Sequence, residues 1–135
     1  MSQTAIRDAL TAKIQSIGLT QPIMWPNQGN FTTPTNQIWL RVTLLFGDKF
    51  QLSLADSDEL FGVVSIGIFT PKGSGTKTAY QICDQLDAAF SRLNPIPFTG
   101  GKIFIQSVEP ARQTEDEPWH VIQFRASFRA PVVKL

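Results

Sequence analysis

GVVSIGIFTPKGSGTKTAYQICDQLDAAF, Gly62 to Phe90, reads as a strand, a glycine-rich corner and a helix. Its first part, Gly62 to Thr70, is apolar at both parities, as suits a central strand covered on both faces. Ser65 and Gly67 are small and share a face, where a helix is expected to come close. The period then changes. Ala79, Ile82, Cys83, Leu86, Ala89, Phe90 and Leu93 recur at helical spacing over 78–93. Asn94-Pro95 stops that helix, because a proline ring disfavours the helical conformation at the residue before it. Leu86 and Phe90 are expected to bury against the strand that carries Ser65 and Gly67.

Between strand and helix lies PKGSGTKT, Pro71 to Thr78, where nucleotide-binding folds place a phosphate cradle. A Walker A loop needs G-x-x-x-x-G-K-[ST]. With Lys77-Thr78 set on its last two positions, Pro71 and Thr76 stand where the glycines belong. Pro71 has no N–H to offer a phosphate, and Thr76 adds a side chain at a tight backbone turn. Gly73 and Gly75 begin a dinucleotide fingerprint, but its next small residue would fall at Thr78. The loop therefore reads as a corner in which Gly73 and Gly75 turn the chain and Ser74 or Thr76 caps the helix. No cofactor is expected.

Outward from this unit, Ile6, Leu10, Ile14 and Ile17 space an amphipathic helix over 4–17, with Thr4 as N-cap and Gly18 as its stop. Residues 20–36 show no period and contain Pro22, Pro26 and Pro34. They also carry Ile23, Met24, Trp25 and Phe31, too apolar for a free linker, so this long connection is expected to pack on the domain or on a partner. In 37–46 the residues Ile38, Leu40, Val42, Leu44 and Phe46 alternate with Trp39, Arg41 and Thr43. Gly47-Asp48 reads as the turn of a hairpin whose second strand holds Phe50, Leu52 and Leu54, followed by an acidic loop over 55–59. A strand over 102–109, a polar acidic turn over 110–118 and a closing strand over 119–130 complete the order. In the closing strand Ile122, Phe124, Ala126 and Phe128 oppose Gln123, Arg125, Ser127 and Arg129. Residues 1–135 are thus read as one α+β domain: a mostly antiparallel sheet of about five strands with two helices packed on one face.

Composition narrows the chemistry. The chain is 42% apolar and 17% charged, which favours a packed core over disorder. A net charge of +1 supplies no strong field toward nucleic acid or an anionic membrane. The single cysteine, Cys83, permits no internal disulfide and lies on the apolar stripe of its helix, so it reads as a buried structural thiol. His120 is the only histidine and reads as a strand residue beside Trp119. A zinc site lacks ligands. Asp56, Asp58 and Glu59, with Glu115, Asp116 and Glu117, form two acidic clusters that read as solvated turns, with a weak cation site or an acidic contact patch as the other reading. No segment reads as a signal peptide or a membrane span, and synthesis in a reducing cytoplasm is expected.

MWPNQGNF (Met24 to Phe31), WLRVTLLFGD (Trp39 to Asp48), the Gly62–Phe90 unit and WHVIQFRASFRAPV (Trp119 to Val132) together resemble phage tail terminator proteins, in order and spacing over most of the chain. The resemblance implies a virion structural protein without catalytic or metal-binding residues. It implies a homo-oligomeric, hexameric ring at the head-proximal end of the tail tube, which ends tube polymerisation and offers a surface to the head–tail connector. Its partners would be further copies of itself, the tube protein and the connector. Phage DNA would pass through the pore without sequence-specific binding, and no membrane would be involved. Another adaptor of the head–tail junction is the alternative role, and a small intracellular enzyme the third.

No residue role carries over from the family. From the residues themselves, the expected subunit or partner interface comprises Trp25 and Phe31 of the long connection, Asp56, Asp58, Glu59, Glu115 and Asp116 of the acidic segments, and Arg125 and Arg129 on the polar face of the closing strand. Aromatic and arginine side chains are enriched where partners meet.

Overall fold

The structure, a computed structural model, describes residues 2–26, 32–34, 36–51, 57–73, 75–98, 101–116 and 119–133. Two helices and six strands follow in the order α1 (Ser2–Ser16), β1 (Ile23–Met24), β2 (Trp39–Gln51), β3 (Ser57–Pro71), α2 (Lys77–Ala89), β4 (Ile96–Phe98), β5 (Gly101–Asp116) and β6 (Trp119–Val133). They build one curled sheet in the order β1-β2-β3-β6-β5-β4. The pairings are antiparallel except β1 on β2, so the sheet is mixed and one strand larger than its alternation alone predicts.

Two strands are unexpected and short, and the net gain is one because β2 absorbs Phe50 of the expected second hairpin strand. Ile23 and Met24 come from the proline-rich connection and pair with Leu40 and Arg41. Leu40 N–H also donates to the Pro22 carbonyl at 2.9 Å. Ile96–Phe98 pairs with Gly101–Ile103 directly after the helix stop. Strands of two or three residues are shorter than a period can reveal.

Four boundaries move. Gly47-Asp48 does not turn the chain: β2 runs on to Gln51, and its register against β3 shifts between Phe46 and Lys49. A glycine within an alternating strand thus marks a bulge here. The acidic segments shorten for the same reason. Asp58 and Glu59 lie in β3, opposite Gln51 and Phe50, while Glu115 and Asp116 extend β5 opposite His120 and Trp119. Within β5 the register shifts twice, between Ile105 and Ser107 and between Glu109 and Arg112, and the latter bulge hid that extension behind Pro110. Finally, α2 ends at Ala89, where Phe90 leaves the helix at φ −101 and ψ 55, so Leu93 falls outside the stripe and is 88% exposed. At the other end, α1 begins at Ser2 rather than after a Thr4 cap.

Both helices bury their stripes on the same face of the sheet. Ile6, Leu10 and Ile14 of α1 and Ala79, Ile82, Cys83, Leu86 and Phe90 of α2 form one core with Leu40, Val42, Val64, Ile66, Ile68, Ile122, Phe124, Ala126 and Phe128. Phe90 is fully buried, its ring centroid 5.8 Å from that of Phe124. The helix therefore packs over the Val64-Ile66-Ile68 parity of β3. Ser65 and Gly67 face the other way, against the expectation that a helix approaches there. Gly62 is the glycine that the packing demands: a Cβ on it would stand 2.5 Å from Phe128 Cζ and 2.7 Å from the Leu45 carbonyl oxygen.

The corner between β3 and α2 is built as glycine permits. Gly73 and Gly75 adopt φ of 86° and 85°, values that other residues adopt at a cost. Thr76 holds the N-cap position of α2 but makes no side-chain cap hydrogen bond, so the expected capping contact is not made there, and Ser74 lies outside the described residues. Gly18, at φ 77°, closes α1 as expected, its N–H donating to the Gln15 carbonyl at 3.2 Å.

Candidate functional site

With both helices on one face, the sheet presents its other face without helical cover, and its alternation decides what stands there. At one end Trp39, Phe69, Trp119 and Val121 form a second apolar cluster with Met24 against it. Trp39 stacks on Phe69 at 4.1 Å and meets Trp119 edge-on at 5.9 Å. Such pairs stabilise by about 0.5–1.5 kcal/mol beyond the area they bury.

Beyond that cluster the face turns polar. Strand register sets Arg41 beside Gly67, Gly67 beside Gln123 and Gln123 beside Arg112. The adjacent row runs Thr43, Ser65, Arg125, Glu109. Gly67 leaves a gap between longer neighbours, and these residues other than Glu109, together with Leu45, line a cleft of about 410 Å³. Ser65 Oγ donates to Gln123 Oε1 at 3.3 Å across its floor. The Arg41 guanidinium lies 5.0 Å from the Phe69 ring centroid. Arg112 approaches Glu109 Oε2 at 3.7 Å, an ion pair too long to be a hydrogen bond. Arg125 has its Nε buried and without a hydrogen-bond partner among the described residues. A buried donor left unpaired costs about 1–3 kcal/mol, so Arg125 holds unused capacity for an anionic group.

Arg129, four residues on along the same strand, is engaged within the chain. It donates to Glu59 Oε2 at 3.1 Å and stands 4.6 Å from the Phe104 ring centroid. The two arginines that alternation pairs on one strand are therefore in different electrostatic states.

Two of the other hollows bear on the sequence reading. One, of about 420 Å³, lies between α1 and β2 and is lined by Leu10, Ile14, Trp25, Val42 and Leu44 among others. Trp25 is half-buried there against the main core. The other, of about 340 Å³, lies under the glycine corner beside His120, which pairs with Thr70 in the middle of the sheet. Among the described residues no group of three or more histidine, cysteine or carboxylate side chains is placed to hold a metal ion. Burial, with Asp84 and Asp87 nearby, pushes the Cys83 thiol up to about 11, the reverse of what an activated nucleophile needs. Nothing in this arrangement assembles a nucleophile with a base.

The architecture and the arginine-lined face now meet a direct comparison. A family model described as phage tail terminator protein matches residues 5–128. The chain belongs to the phage tail terminator family. No curated protein sequence matches it significantly. A solved structure whose name states no function superposes with a TM-score of 0.76, covering 96% of each chain at 22% identity, and shows that this fold occurs elsewhere. Tail terminators are structural proteins of the phage tail, so this terminator belongs with virion tail components. Among the described residues no helix is long and apolar enough to cross a membrane.

Of the interface residues read from sequence, the fold of this terminator brings Arg125 into the cleft and places Glu59 and Arg129 together beside it. Trp25 lies on the opposite, helical face. Asp58, Glu115 and Asp116 lie at strand ends, and Phe31 and Asp56 lie outside the described residues, as does Glu117 of the acidic cluster. Sequence reasoning missed Arg41 and Arg112 as members of the cleft. The parity of 37–46 already places Arg41 with Thr43 on the polar face. Arg112 joins only through the bulge after Glu109, which no period announces.

Proposed function

We propose that this terminator acts as a homo-oligomeric ring, hexameric, seated on the head-proximal end of the tail tube. There it ends tube polymerisation and gives the head–tail connector its docking surface, while DNA passes through the pore without sequence-specific contacts. The observation that carries this reading is family membership across nearly the whole chain. The physical character of the chain supports it. Charge is sparse, the 20–36 connection carries Ile23, Met24, Trp25 and Phe31, and on the polar sheet face the buried Nε of Arg125 has no partner among the described residues. A ring of identical subunits uses a head-to-tail interface that closes, so one surface must fit a different surface of the next copy.

Trp25, Phe31, Asp56, Asp58, Glu59, Glu115, Asp116, Arg125 and Arg129 are the proposed interface residues. Measuring the mass of the purified protein, alone and with tube protein, tests the ring. Labelled electron microscopy of virions tests its position. The expected results are a closed oligomer and a label at the junction of head and tail. A chain that stays monomeric with tube protein present, or a label elsewhere on the particle, contradicts the reading.

A further inference from the structure

We propose that the arginine cleft on the helix-free face receives the acidic end of the β5–β6 ribbon of the adjacent copy. This deepens the ring reading and rests on it. The cleft gathers Arg41, Arg112 and Arg125, and among the described residues the carboxylate beside it is Glu109, 3.7 Å from Arg112 and paired in register with Arg125. The whole chain carries only +1, so everything outside the cleft is net negative. Charge is thus separated within a nearly neutral monomer, the condition under which like copies attract head to tail rather than repel.

The geometry of the cleft suits carboxylates. Arg41 and Arg112 stand at the two ends of one cross-strand row, three strand spacings apart, or about 14 Å. Gly67 opens the middle, and a Cβ there would meet the Phe69 ring at 3.0 Å and the Gln123 amide at 3.4 Å. Arg125, in the next row, has a buried Nε without a partner among the described residues. Guanidinium groups bind carboxylates through paired N–H donors, which fixes orientation as well as adding attraction. Leu45, 56% exposed at the rim, supplies an apolar shoulder that an incoming segment would cover.

The chain's own acidic segments are the complementary surfaces, and the two differ. Glu59, of the first, is already paired to Arg129 at 3.1 Å. The second ends a ribbon of two antiparallel strands. Pairing continues from Arg112–Gln123 to Asp116–Trp119, the last pair before the connection, so Glu115 and Asp116 are carried at the end of a hydrogen-bonded ribbon. A ribbon end held by its own ladder loses little freedom on docking.

Charge exchange tests this. Arg41→Glu with Arg125→Glu forms one variant, and Glu115→Lys with Asp116→Lys forms the other. Each alone is expected to weaken self-association at least tenfold by sedimentation velocity, with the melting temperature of the parent. An equimolar mixture is expected to reassemble, because each cleft then meets a ribbon of opposite sign. The unmodified oligomer should also dissociate as salt rises from about 0.05 M to about 1 M, where the screening length falls to about 3 Å. The salt series decides the matter if a variant melts early. Variants that assemble like the parent, a mixture that stays apart, or an oligomer indifferent to salt overturns the contact while leaving the ring reading intact. An unmodified chain that never oligomerises with tube protein sinks the ring reading, and this contact with it.

Discussion

Phe90 carries much of the packing between α2 and the sheet. It is completely buried and ends the helix while its ring meets Phe124. Phe90→Ala is expected to cost about 3–5 kcal/mol in urea unfolding, because the cavity it leaves is walled by sheet side chains. Gly67→Val is expected to cost about 1–3 kcal/mol, here by crowding Phe69 and Gln123 on the cleft side rather than by pushing a helix away. Cys83 gives a pH test. Burial pushes its thiol up to about 11 from an ordinary value of 9.0, so above pH 9 the unfolded chain binds fewer protons than the native one. Stability is therefore expected to fall as pH rises from about 9 toward about 11, and Cys83→Ser is expected to remove that part of the slope. At neutral pH the native thiol should react with a thiol reagent far more slowly than the unfolded chain. Fast native labelling would show that the helix stripe is not closed.

At the scale of elements, the β3–corner–α2 unit decides whether the protein is a nucleotide enzyme. Gly73 and Gly75 have no atom within 4 Å of an added Cβ, so their positive φ alone makes them glycine. Ala at either is expected to cost about 1 kcal/mol through backbone conformation. The same loop is expected to bind no ATP or GTP with Mg²⁺, and micromolar affinity by calorimetry would contradict the corner reading. This unit was legible in sequence because its two periods, strand and helix, are long and adjoin at a glycine signal. So was the closing strand, whose alternation from Ile122 to Phe128 matches the buried face residue by residue. What was not legible lies where a bulge shifts parity. At Gly47-Asp48 a turn signal sits inside one strand, and Pro110 conceals the continuation of β5 to Asp116. The cleft inherits that blindness. Arg125 stood out from alternation, whereas Arg112 reaches it only after the register shift. Ser65 and Gly67 were read correctly as a small-residue face, but small residues signal a close approach without saying whether a helix or open space fills it.

At the scale of the whole molecule, a sheet with helices on one face has two unlike sides, and a closed head-to-tail ring needs unlike surfaces. The connection over 20–36 belongs to this argument. Phe31→Ser is expected to leave monomer stability unchanged while impairing ring formation or tube capping. A large fall in melting temperature with assembly intact would place Phe31 in the core instead. Arg129 sets the contrast to Arg125. Its ion pair with Glu59 lies within one chain, so Arg129→Ala is expected to lower stability by about 1 kcal/mol and to weaken assembly less than Arg125→Ala does. The most direct measurement of the central claim is the length of tail tubes grown from purified tube protein with and without this chain, imaged by negative-stain electron microscopy. The account predicts tubes that stop growing once the chain is added, each with a ring of added density at one end. Tubes that continue to elongate at the same rate, with bare ends, would contradict it.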